Sequence, residues 1–77
     1  MKRVLIYTTP TCTYCKASKE FFKENNVPYE EYDVAINLEK RKEMIEKSGQ
    51  MGVPVIFVDN EMVIGFNREK LQQLLGL

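Results

Sequence analysis

The stretch Thr11-Cys12-Thr13-Tyr14-Cys15 ("TCTYC") holds both cysteines of the chain, with two residues between them. It also separates two segments that have different hydrophobic patterns. Before it, "RVLIY" (3–7) is a short apolar, β-branched run that is typical of a buried strand. After it, apolar or small residues recur every three or four positions, which predicts a helix from Thr13 to about residue 25. The cysteines therefore lie where a strand ends and a helix begins.

This position predicts different roles for the two sulfurs. Periodicity places Tyr14, Ala17, Ser18, Phe21 and Phe22 on one face of the helix, although for Tyr14 we favour an exposed, functional aromatic beside the cysteines over a packed one. Unpaired backbone N–H groups and the positive end of the helix dipole stabilise a thiolate at a helix start. We therefore predict that Cys12 is a nucleophile. Cys15 lies three residues further on nearly the same face, so it can reach the first sulfur and act as the resolving thiol.

The rest of the chain predicts two further helices and three further strands. "PYEEYDV" (28–34) alternates like a strand, and "VPVIFV" (53–58) and "MVIGF" (62–66) read as a hairpin around "DNE". Asn37 is placed to cap a helix that runs to about residue 47, and Gly49 to end it in the left-handed conformation. Asn67 is placed to cap the last helix. The predicted inward residues of these helices are Leu38, Met44 and Ile45 in the first and Leu71, Leu74 and Leu75 in the second.

The element order β-α-β-α-β-β-α predicts an α/β fold with a four-stranded mixed sheet flanked by helices. At 77 residues, with 44% hydrophobic and 29% charged residues, the chain has the composition of one small globular domain. Its formal net charge of zero gives no sign of a nucleic-acid or membrane partner. The apolar run at the N-terminus is too short for a signal peptide, so we expect a cytosolic protein whose thiols are kept reduced.

Three functions remain open for the cysteine pair at this point. A zinc or iron–sulfur site usually needs four ligands, but the chain has two cysteines and no histidine. A metal would therefore have to be shared, with Cys12 acting across a dimer. A structural disulfide that closes so small a loop would add little stability. We favour a reversible dithiol/disulfide couple without a metal, and keep a cluster- or zinc-binding protein as the alternative.

Three segments carry a family resemblance: "YTTPTCTYCKASKEFF" (7–22), "GQMGVPVIFVDN" (49–60) and "IGFNREKL" (64–71). They resemble the glutaredoxins and the glutaredoxin-like hydrogen donors of ribonucleotide reductase, and the resemblance covers nearly the whole chain. It implies a thioredoxin fold, a single glutaredoxin-like domain over residues 1–77, a cis peptide at Pro54, and pairing of the Val53 backbone with a bound substrate. The substrate-binding residues that it implies are Thr13, Tyr14, Val53, Pro54, Gly65, Phe66 and Asn67.

The chain departs from the glutaredoxin pattern at three places. Thr13 replaces the usual proline, which changes the hydrogen-bond donors near Cys12. Thr9 stands where glutaredoxins commonly carry a lysine or arginine for a glutathione carboxylate. Arg68 stands where they commonly carry an aspartate for the glutathione ammonium group.

The resemblance implies a cytoplasmic, monomeric thiol-disulfide oxidoreductase and electron carrier of cell redox homeostasis. We expect disulfides of proteins or mixed disulfides of glutathione as substrates, with ribonucleotide reductase among the candidate partners. No bound cofactor is expected, and either glutathione or thioredoxin reductase would be the external reductant.

Overall fold

The computed structural model describes residues 2–77 and contains seven elements in the predicted order. They are β1 (Val4–Thr8), α1 (Thr13–Glu24), β2 (Glu30–Asp33), α2 (Leu38–Ser48), β3 (Val55–Val58), β4 (Glu61–Ile64) and α3 (Arg68–Leu75). The predicted fold class is therefore confirmed. Within the described range, no helix is both long and apolar enough to cross a membrane.

The four strands form one mixed sheet in the order β2-β1-β3-β4. Strand β1 pairs in parallel with β2 and antiparallel with β3, where Tyr7 lies opposite Val55. Strands β3 and β4 form the predicted antiparallel hairpin, and Val55 lies opposite Ile64. The ends of β1, β2 and β4 and the start of β3 consequently meet at one edge of the sheet. The segment that carries the cysteines leaves β1 at this edge.

Alternating side chains of the strands form two apolar clusters, one on each face of the sheet. The larger cluster packs under α1 and α3, and its buried members are Val4, Ile6, Phe21, Phe22, Ile56, Val58, Val63 and Leu71. The smaller one packs under α2, and its buried members are Tyr7, Val34, Met44 and Val55. Leu74, Leu75 and Ile45 pack against these clusters while partly exposed, as the helical periodicity predicted.

The predicted signals at the helix ends are confirmed. Asn37 accepts a hydrogen bond from the N–H of Lys40, and Asn67 accepts one from the N–H of Lys70, each at 3.1 Å. Each asparagine therefore satisfies a backbone donor that the first helical turn leaves unpaired. Gly49 ends α2 with φ of 73°, a left-handed conformation that glycine adopts at low cost.

One predicted inward position is wrong. Leu38 is 70% exposed, because it is the first residue of α2 and precedes the turns that place Met44 on the sheet. Tyr14 is 66% exposed, in agreement with the favoured interpretation of an exposed aromatic beside the cysteines, because the inward face of α1 runs through Cys15 and Ser18. The strand predicted over residues 28–34 is also shorter, with pairing confined to Glu30–Asp33.

Candidate active site

Cys12 is the N-cap residue of α1. Its backbone is extended, with φ of −86° and ψ of 112°, and its sulfur accepts a hydrogen bond from the N–H of Cys15 at 3.1 Å. Its carbonyl accepts the N–H of Lys16 at 3.2 Å, the bond that opens the helix, and its own N–H donates to the Thr9 carbonyl. The sulfur is only partly buried. A free thiol therefore stands at the positive end of a helix, within reach of solvent.

Cys15 lies one turn further along α1 and is only 1% exposed. Burial raises the pKa of its thiol to about 12, and its hydrogen bond to the Cys12 side chain adds to the rise. A hydrogen bond with the Thr9 backbone and the charge of Lys19 act in the opposite direction on this pKa. The structure thus gives the pair the asymmetry that was predicted, with an accessible outer sulfur and a protonated inner one.

The loop before β3 meets the cysteines across the sheet edge. The Cys12 thiol donates to the Val53 carbonyl, with 3.7 Å between sulfur and oxygen. The Val53–Pro54 peptide is cis, as the resemblance implied, and Pro54 is buried. The N–H of Gly65 donates to the Pro54 carbonyl at 2.9 Å. The antiparallel pairing of β1 with β3 therefore brings Val53 and Pro54 to the cysteine site, and the pairing of β3 with β4 brings Gly65.

The segment after β4 lies at the same edge of the sheet. The Phe66 ring packs edge-on against Phe21, with 5.9 Å between centroids, and Asn67 caps α3. The Arg68 guanidinium lies 5.6 Å from the centroid of the Phe21 ring, close enough for a cation–π contact. Arg68 is exposed, and this contact places its guanidinium beside Phe21 of α1.

Thr13 and Tyr14 are the first two residues of α1 and follow Cys12 directly. Both are exposed, so they flank the accessible sulfur without belonging to the core. All the residues that the sequence singled out for substrate binding thus lie in three segments: the start of α1, the loop before β3 and the segment after β4. Their substrate-binding roles stay predictions.

A polar cluster beside Cys15 was missed by the sequence analysis. Lys19 donates to the Glu31 carboxylate at 2.9 Å, and the buried hydroxyl of Thr8 donates to the same oxygen at 2.8 Å. Lys19 lies four residues after Cys15, a spacing that places side chains side by side on a helix. That spacing was visible in the sequence, whereas the Glu31 and Thr8 partners depend on the pairing of β1 with β2.

The described residues contain no group of three histidine, cysteine, aspartate or glutamate side chains that could hold a metal ion. The site offers two adjacent free thiols of unequal exposure. An accessible thiolate can attack a disulfide, and the neighbouring thiol can then displace the product from the mixed disulfide.

Comparisons with known proteins agree with this dithiol site on a thioredoxin fold. The glutaredoxin family model matches residues 4–63. A glutaredoxin-like 8.6 kDa protein in the rubredoxin operon of Clostridium pasteurianum is 40% identical over 72 residues, which cover 94% of this chain and 96% of that protein. The chain belongs to the glutaredoxin family, and it is a thiol-disulfide oxidoreductase.

Two solved structures are similar over almost the full length. The T8A mutant of the thioredoxin-like protein BC3987 is 42% identical, with a TM-score of 0.91 over 99% of this chain and 97% of its own. The glutaredoxin-like protein NrdH-redoxin from Escherichia coli is 25% identical, with a TM-score of 0.82 over 94% of this chain and 93% of its own. Both support the thioredoxin-like fold of this chain.

Proposed function

We propose that the protein reduces disulfides of proteins, or mixed disulfides of glutathione, through the Cys12/Cys15 pair and that a flavin-dependent thioredoxin reductase reduces it in turn. The observation that carries the choice of reductant is Arg68, a positive charge that follows the "GF" segment by two positions and lies beside the Phe21 ring. The chemistry needs only the two sulfurs, a substrate disulfide and an external reductant.

The proposed reaction has two exchange steps. The Cys12 thiolate attacks one sulfur of the substrate disulfide, a mixed disulfide forms, and the other substrate sulfur leaves as a thiol. The Cys15 sulfur then attacks Cys12, which releases the second substrate thiol and leaves a Cys12–Cys15 disulfide. The Val53 backbone, whose carbonyl lies beside Cys12, would pair with the substrate chain as a strand edge does.

One charge and one missing charge argue against glutathione as the preferred reductant. Glutathione carries an ammonium group on its γ-glutamyl part, and the positive guanidinium of Arg68 would repel it. Thr9 offers no positive charge to a glutathione carboxylate. Exposed charge pairs contribute only about 0–1 kcal/mol each, so we expect weaker binding of glutathione and not complete exclusion.

The likeness to other proteins supports the same choice. The E. coli NrdH-redoxin, which shares this fold at 25% identity, is described as having a thioredoxin-like activity profile. We propose a cytosolic setting, where thioredoxin reductase keeps thiols reduced, a monomeric state, and ribonucleotide reductase as one protein substrate.

A coupled assay tests the proposal. The same disulfide substrate is offered with NADPH and either thioredoxin reductase or glutathione plus glutathione reductase, and NADPH oxidation is followed. We expect faster turnover with thioredoxin reductase. Efficient turnover with glutathione and none with thioredoxin reductase would overturn the choice of reductant while leaving the dithiol chemistry intact.

A further inference from the structure

In the second exchange step, the buried Cys15 thiol must become a thiolate, and the two cysteines alone do not stabilise that charge. Cys15 must lose its proton to attack, yet its thiol is buried and burial raises its pKa to about 12. Its hydrogen bond with Cys12 raises the pKa further in the reduced protein. In the mixed disulfide the Cys12 sulfur carries no charge and does not repel a Cys15 thiolate, but Cys15 is still buried. Groups other than Cys12 must therefore stabilise the Cys15 thiolate.

Besides burial, few groups affect the pKa of Cys15. Cys12 caps α1, the Thr9 backbone directly follows β1, and Lys19 lies on α1, where it is bonded to Glu31 of β2. Of these, the Thr9 backbone and the Lys19 ammonium favour the thiolate. Lys19 lies four residues after Cys15, a spacing that places the two side chains side by side on a helix, and it alone among these groups brings a full positive charge.

Lys19 is well held for this purpose. Its Nζ lies 2.9 Å from a Glu31 oxygen, and the Lys19 and Glu31 side chains are 29% and 36% exposed. Burial acts to raise the pKa of Glu31, but hydrogen bonds from Lys19 and Thr8 outweigh it and the pKa is lowered. The hydrogen bond to Glu31 in turn raises the pKa of Lys19. Lys19 therefore stays protonated at neutral pH, which suits it to stabilise a negative charge and not to accept a proton.

We propose that Lys19, held by Glu31, is a positioning residue for the resolving step, in which its ammonium group stabilises the Cys15 thiolate that attacks Cys12. This inference rests on the proposed dithiol mechanism. A Cys15–Cys12 bond forms, the bond between Cys12 and the substrate sulfur breaks, and the electron pair leaves with the substrate sulfur. That sulfur takes up a proton in place of the one that Cys15 lost, so the step needs no further reactant.

The test is a single-turnover reaction of the reduced protein with an aromatic disulfide that releases a coloured thiolate. The first release reports attack by Cys12, and the second release reports attack by Cys15. Lys19→Gln should leave the first release unchanged and slow the second. Each unit of rise in the pKa of Cys15 reduces its thiolate fraction about tenfold, but nucleophilicity rises about threefold, so the expected slowing is about threefold per unit.

Two control variants separate charge from structure. Lys19→Arg keeps the positive charge and should restore the second rate, whereas Lys23→Gln, one turn further along α1, should match the wild type in both phases.

The outcomes distinguish the inference from the proposed function. If the wild type shows no second release, the dithiol mechanism itself fails. If the wild type shows it but Lys19→Gln releases at the wild-type rate, or Lys19→Arg is as slow as Lys19→Gln, only the role of Lys19 is refuted.

Discussion

The backbone N–H of Cys15 donates a hydrogen bond to the Cys12 sulfur at 3.1 Å, so the resolving residue also orients the nucleophile before any disulfide forms. Because this bond uses the backbone, it does not depend on the side chain of Cys15. The two roles of residue 15 can therefore be separated by mutation.

Exchange of the cysteines for serine should give opposite phenotypes. Cys12→Ser should abolish disulfide reduction, because it removes the accessible sulfur. Cys15→Ser should trap a mixed disulfide with the substrate and retain activity toward glutathionylated substrates, because the backbone bond to Cys12 is kept. Mass spectrometry after incubation with substrate checks both results. In the wild type, alkylation at neutral pH should label Cys12 first, and faster labelling of Cys15 would reverse the assignment.

Asn67 and Asn37 offer a matched pair of helix caps. Each accepts an N–H at 3.1 Å, so each exchange for alanine should lower the free energy of unfolding by about 0.5–2 kcal/mol. Only Asn67 belongs to the proposed substrate site, so Asn67→Ala should also raise KM. Urea denaturation and steady-state kinetics of both variants check this. An equal change of KM in Asn37→Ala would show that the effect comes from stability alone.

Glu43 should make stability depend on pH in the acid range. Hydrogen bonds from Lys47, Tyr7 and Lys40 hold the pKa of Glu43 at about 2, compared with an ordinary value of 4.5. A lowered folded-state pKa contributes stability above the ordinary pKa, and this contribution is lost as the pH falls toward the folded-state value.

Glu43→Gln should therefore lower the free energy of unfolding at neutral pH by about 1 kcal/mol, the upper range for partly exposed pairs. The difference from the wild type should close between pH 4.5 and about 2. Urea titrations over this range measure it, with Glu46→Gln on the exposed side of α2 as the control. A difference that is independent of pH would contradict the ionic explanation.

The choice of reductant should respond to two charges. Thr9→Lys combined with Arg68→Asp supplies a cation for a glutathione carboxylate and an anion for its ammonium group. We expect the double variant to shift toward glutathione in the coupled assay, by about fivefold if each exposed pair contributes about 0.5 kcal/mol. Lys16→Gln, an exposed change on α1, serves as the control. An unchanged ratio of the two rates would show that these positions do not select the reductant.

The sequence predicted those parts of the fold that depend on neighbouring residues. The order of elements follows from hydrophobic periodicity, and the ends of α2 and α3 follow from Asn37, Gly49 and Asn67, whose roles are local. The position of Cys12 at the start of α1 is local as well. The resemblance to glutaredoxins added the cis peptide before Pro54, which periodicity does not show.

The features of the fold and of the candidate site that the sequence did not predict depend on contacts between distant segments. Leu38 is predicted to lie in the core because it is apolar. The sequence does not show that the first turn of α2 lies outside the contact between this helix and the sheet. The Lys19–Glu31 and Tyr7–Glu43 hydrogen bonds require the strand order and register, which no single segment of the sequence determines. Half of the candidate site, namely Val53 and the "GF" segment, reaches Cys12 only through such pairing.

The contact between Cys12 and Val53 spans 41 positions of the sequence. On the ribosome, both cysteines are therefore synthesised well before the loop that faces them, and before strand β3 can pair with β1. A growing chain at that stage carries both thiols without the loop that faces Cys12 in the folded protein. The two thiols are thus made before the loop that is proposed to pair with the substrate. The site is complete only when β3 and β4 have been translated and have joined the sheet.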